Sequence, residues 1–129
     1  MVDSEATTRG IQVKVRASYI PERSLPAQGR WFFSYRIRIT NRGSVPVQLL
    51  NRHWVITDAH GEIEEVRGPG VVGEQPVIAP GESHEYTSFC PLATPFGTME
   101  GSYEMVTEDG ERFWAKIAQF TLSQPLAVN

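Results

Sequence analysis

Between Arg30 and Thr40 the chain alternates, with Trp31, Phe33, Tyr35, Ile37 and Ile39 on one parity and Ser34, Arg36, Arg38 and Thr40 on the other. A period of two predicts a strand with one face in a core and one in water. The same reading predicts a strand over Gly10–Ile20, where Val13, Val15, Ala17 and Tyr19 alternate with Gln12, Lys14, Arg16 and Ser18. If these two strands are neighbours, Lys14 and Arg16 join Arg36 and Arg38 on one outer face.

Further strands are expected over Pro46–Thr57, Glu62–Val66, Gln75–Ile78, Ser83–Cys90, Met99–Thr107 and Arg112–Leu122, separated by Asn, Asp, Gly and Pro turns. Two of them change parity part-way. Val47 and Leu49 disagree with Trp54 and Ile56, which predicts a bulge near Leu50 and Asn51; Ile117 disagrees with Phe120, which predicts another near Ala118. Residues 67–81, rich in Gly and Pro, are expected to form a structured loop with one short edge strand. No stretch carries a 3.6-residue stripe, and no repeat is evident.

Seven or eight strands without crossover helices imply an all-β fold, a two-sheet antiparallel β-sandwich. Residues 1–9 are read as a flexible arm, 10–123 as one domain and 124–129 as a flexible tail. The rings of Trp31, Phe33, Tyr35, Trp54, Tyr86, Tyr103, Phe113 and Trp114 exceed what one interior accepts. Phe32, Phe96 and one tryptophan are therefore expected outside.

At 129 residues the chain suffices for one core. Its opening is polar and acidic, and no apolar run approaches the ~20 residues of a membrane span, so neither a signal peptide nor a transmembrane helix is expected. Cys90 is the only cysteine, which excludes an intrachain disulfide and points to a reducing cytoplasm. Charge sharpens the picture of the outer faces. Residues 1–60 hold nine Lys or Arg against four Asp or Glu, and residues 61–129 hold three against eleven. Solubility alone accounts for such an asymmetry; the other reading is a basic stripe on the sheet that holds the early strands, facing an anion or a partner. With so few cations and no accompanying motif, specific nucleic-acid binding is not expected.

Gly68-Pro69-Gly70-Val71-Val72-Gly73 matches G-x-G-x-x-G, but no strand-to-helix turn surrounds it, so a dinucleotide site is not expected. A loop that bends the chain is the first reading; a phosphate loop using Gly68, Gly70, Gly73 and Arg67 is the second. His53 and His84 are the candidate metal ligands, although no histidine motif joins them or His60. Cys90 reads as a buried small residue. The carboxylates Glu62, Glu64 and Glu65, and Glu108, Asp109 and Glu111, lie in or beside hairpins open to water, and no G-x-S-x-G elbow is present, so no catalytic residue is assigned.

The stretch NRHWVITDAHG at Asn51–Gly61, GPGVVGEQPVIAPG at Gly68–Gly81 and the following ESHEYTSFCPLATPFGTMEGSYEM together resemble the bacterial ApaG family, from Gly10 through Leu122. The resemblance implies a fibronectin type III or immunoglobulin-like sandwich. It further implies a protein-recognition role, as in related domains of eukaryotic F-box proteins, and a link by name to cobalt and magnesium resistance. The expected function is a nonenzymatic interaction domain without cofactor, acting through a sheet edge or the loop 67–81, with Arg36, Arg38, Arg52, Trp54, Val71 and Val72 as candidate contacts. Its expected partner is a protein. The alternative is a phosphate-containing ligand or metal–phosphate complex held by the glycine loop and nearby arginines.

Overall fold

The computed structural model describes residues 2–125 and contains two antiparallel sheets packed as a sandwich of fibronectin type III/immunoglobulin-like form. The first sheet orders β1 (Ser4–Thr8), β2 (Ile11–Tyr19), β3 (Trp31–Asn41) and β7 (Ser83–Leu92) as β1-β2-β3-β7. The second orders β5 (Ile63–Pro69), β4 (Val47–Asp58), β8 (Phe96–Thr107) and β9 (Arg112–Ser123) as β5-β4-β8-β9, and β6 (Val77–Ile78) pairs with the start of β4. Among the described residues no helix is long and apolar enough to cross a membrane.

Alternation works as expected in β3, where Phe33, Tyr35, Ile37 and Ile39 are buried between the sheets while Arg36 and Arg38 are exposed. Trp54 of β4 occupies the centre. Its ring meets Tyr35, Tyr103 and Phe120 at centroid separations of 5.3, 6.3 and 6.0 Å in edge-on geometry, which aromatic quadrupoles favour. Of the excess rings, Trp114, Phe96 and Phe89 remain about half exposed.

Both parity changes are bulges. Leu49 pairs with Met105 and Asn51 with Glu104, leaving Leu50 as the extra residue. Met99 pairs with Phe120 and Gly101 with Ile117, so β9 carries an extra residue at Ala118–Gln119. Each insertion returns the later side chains to the core.

The amino terminus corrects the expected flexible arm of residues 1–9. Ser4–Thr8 form a strand in register with β2, from Ser4 opposite Val15 to Thr8 opposite Ile11, and Ser4 is buried. Arg9 and Gly10, at φ 48° and 83°, make the two-residue hairpin turn whose twist matches the flanking strands. Backbone pairing holds this polar strand, so it needs no apolar period. Gln124, assigned to the flexible tail of residues 124–129, is also engaged: its side-chain oxygen accepts from Trp31 Nε1 at 3.0 Å and its N–H donates to the Pro95 carbonyl at 2.9 Å. The rest of that tail, residues 126–129, lies outside the described residues.

Candidate functional site

The two long sides of the sandwich differ. On one, β9 packs against β1 and β2, and the Lys116 N–H donates to the Thr8 hydroxyl at 3.0 Å. On the other, β5 and β7 each have a strand neighbour on one side alone among the described residues, so their outer edges keep unpaired backbone groups.

Between these free edges runs a groove with two cavities. One, of about 300 Å³, is lined by Tyr35, Arg52, Trp54, Glu64, Ser88 and Cys90 among others. The second, of about 290 Å³, adjoins Ile56, Asp58, Glu62, Ile63, Pro91 and Leu92. Ile56, Glu64 and Pro91 belong to both. Pairing explains why a carboxylate lies here: Glu64 stands opposite Ile56 and Val66 opposite Trp54, so Glu64 shares the inward parity of the core yet sits at the margin. Burial pushes the Cys90 thiol up to about 12, with the Glu64 carboxylate adding to the rise, so the groove holds a protonated, unreactive thiol at neutral pH. Burial also raises the Tyr35 phenol, against a hydrogen bond with Ser88 that opposes it.

One part of the glycine-rich segment, Gly70–Glu74, is a miniature hairpin. Val71 and Glu74 exchange N–H···O bonds of 2.8 and 3.0 Å around Val72 and Gly73, both with positive φ. The Gly70 N–H donates to the Leu50 carbonyl at 2.8 Å, and Arg52 Nη1 donates to the carbonyls of Pro69 and Gly70 at 2.9 and 3.1 Å. Gly70 has a specific reason to lack a side chain: a Cβ would stand 2.2 Å from the Glu74 carbonyl oxygen. The amides that a phosphate cradle presents are thus partly spent within the loop.

Comparison with known proteins places this architecture. The ApaG domain model, DUF525, matches residues 21–107. The chain belongs to the ApaG family. Protein ApaG of Anaeromyxobacter dehalogenans strain 2CP-C is 56% identical over 126 residues, covering 98% of this chain and 99% of the relative. Protein ApaG of Methylobacterium sp. strain 4-46 is 55% identical over 121 residues, covering 94% and 93%. The crystal structure of the ApaA protein from Bordetella pertussis superposes with a TM-score of 0.88 at 49% identity, covering 98% of this chain and all of that one.

Within this ApaG sandwich the sequence-selected residues separate into three places. Arg36 and Arg38 lie on the outer face of the first sheet, directly opposite Arg16 and Lys14. Arg52 lines the groove and braces the loop, while Trp54, at 3% exposure, belongs to the core and meets the groove only as part of its lining. Val71 is buried at 1% and Val72 is exposed at 66%, so of the valine pair only Val72 projects outward. Gly68 packs over the Arg52 guanidinium, and Arg67 is exposed on β5, its Nη2 lying 3.6 Å from Glu65 Oε1.

The histidines do not meet. His53, beside inward-facing Trp54, faces outward and lies 2.8 Å from Glu65 Oε1. His84 is on the other sheet opposite buried Ile39, with Nε2 enclosed and 3.6 Å from Glu74 Oε2. Among the described residues no three His, Cys, Asp or Glu side chains converge. Sequence reasoning took Glu64 for a hairpin carboxylate open to water and missed the groove, because its walls come from strands far apart in the chain. The readable signal was a glutamate on the same parity as Val66.

Proposed function

We propose that this ApaG-family domain is a nonenzymatic recognition module that takes an extended protein segment along the groove between β5 and β7. Two free strand edges facing one groove carry the reading, because an added strand satisfies their backbone groups while its alternate side chains enter the cavities. The groove's chemistry selects the segment. Asp58, Glu62 and Glu64 line it against Arg52 alone as a cation, beside Ile56, Ile63, Pro91 and Leu92. A segment alternating basic and apolar residues, from a partner in the reducing cytoplasm that a lone free cysteine suits, complements those walls.

The test is selection from a displayed peptide library, followed by mapping of the enriched peptide on the labelled protein by NMR. Alternating basic–apolar peptides that perturb β5 and β7 amides and lose about tenfold in affinity with Glu64→Lys support the reading. Enrichment of acidic sequences, or perturbation confined to β1 and β9, refutes it. The phosphate-loop alternative gains no support from a hairpin that uses its own amides.

A further inference from the structure

The outer face of the first sheet has an unusual arrangement of charge. In register, Lys14 stands opposite Arg38 and Arg16 opposite Arg36 on adjacent positions of β2 and β3. Directly opposed side chains in an antiparallel pair lie about 4.5–5.5 Å apart at Cβ, and same-face neighbours along a strand are about 6.6 Å apart. Four cations therefore form a grid about 5 by 7 Å, in which both cross-strand pairs are of like charge and repel.

Neighbouring carboxylates relieve this only in part. Arg36 Nη2 contacts Glu85 Oε2 at 3.1 Å, whereas Arg38 to Glu85 is 4.0 Å and Lys14 to Glu5 is 3.9 Å. Asp3 spends a carboxylate oxygen on the Ala17 N–H at 2.6 Å. Arg16 is exposed and makes no ion pair among the described residues. Between these groups lies a depression of about 240 Å³, lined by Lys14, Arg16, Arg36, Arg38, Glu85 and Val2 among others.

We propose that this grid is a binding site for an anion of linked phosphoryl groups, a short free polyphosphate chain. Several negative charges on one compact ligand relieve both like-charge pairs at once, which isolated monovalent anions do not. Three of the four cations are arginines, whose planar forks match phosphate oxygens two at a time. The depression fits a compact chain rather than a folded acidic surface. This site is on the outer sheet face, away from the glycine hairpin, and stands independently of the peptide groove.

The experiment is calorimetric titration of the full chain with sodium tripolyphosphate, paired with thermal melts in tripolyphosphate and in sodium chloride at equal ionic strength. Saturable binding is expected, with a midpoint rise beyond that in chloride. Arg16→Gln and Arg36→Gln are each expected to weaken binding about tenfold, a loss of about 1.4 kcal/mol, because each removes a charge-assisted contact. Arg16→Gln is expected to melt no lower than the parent in low salt, because it removes one member of a repelling pair and breaks no ion pair. Arg112→Gln, on the second sheet, is expected to bind as the parent does. Absence of saturable heat overturns the proposal, as does equal binding by Arg16→Gln. Tighter binding of a glutamate oligopeptide or a single-stranded RNA oligonucleotide at matched charge overturns it in favour of those partners.

Discussion

Tyr86 of β7 and Tyr103 of β8 face one another across the sandwich with their hydroxyls hydrogen-bonded, and Tyr103 is fully enclosed. Burial holds both phenols well above their ordinary value, so each is neutral and each satisfies the other. Removing one hydroxyl strands its partner; removing both strands nothing. Tyr86→Phe leaves the Tyr103 hydroxyl in a dry core and is expected to cost about 2–3 kcal/mol. Tyr103→Phe leaves the hydroxyl of the less buried Tyr86 and is expected to cost about 1 kcal/mol. The double variant is expected to cost about 1 kcal/mol or less, giving a coupling of roughly 2 kcal/mol. At about 2.1 cal/mol/K of unfolding entropy per residue, a 129-residue chain loses roughly 4 °C per kcal/mol. Calorimetric melts of the four proteins should therefore show Tyr86→Phe about 8–12 °C below the parent, with the double variant recovering most of the loss. A double variant whose loss equals the sum of the singles to within about 0.5 kcal/mol would refute the reasoning.

Gly101→Ala places a Cβ 2.0 Å from the His53 carbonyl oxygen, a backbone atom that cannot swing aside. A loss of at least about 4 kcal/mol in urea unfolding, or failure to fold, is expected. Val72, β-branched and exposed, has φ 47° at the hairpin tip. Val72→Asn is expected to raise stability by about 1 kcal/mol, read from the denaturation midpoint, because Asn tolerates that conformation. The Cys90 thiol rises from 9.0 in the unfolded chain to about 12 when folded, so its contribution is fully present below pH 9 and lost as pH climbs toward 12. Stability measured against pH should fall above about 9. In Cys90→Ala the onset should move to about 10, where the unfolded tyrosines begin to ionise.

Much of the fold was legible because a strand's period is local. Alternation placed Phe33, Tyr35, Ile37 and Ile39 inward, and parity breaks located the bulges at Leu50 and Ala118–Gln119. The site was less legible. Trp54 and Val71 looked available because large apolar residues in irregular contexts resemble contacts, but packing from the opposite sheet and neighbouring loops removed them from the surface. The glycine motif read as a loop, while its hairpin pairing required knowing that Leu50 and Arg52 come alongside.

By itself the amino-acid sequence determined the strand periods, the two-sheet class, the family and the basic parity of β2 and β3, because each depends on residues close in the chain or on their order. Tertiary structure alone decided that β1 pairs with β2, that Lys14 and Arg16 stand opposite Arg38 and Arg36, and that one side of the sandwich closes while the other stays open. Register and sheet order are set by contacts between distant segments, where burying all the inward faces at once selects one arrangement that no single segment encodes.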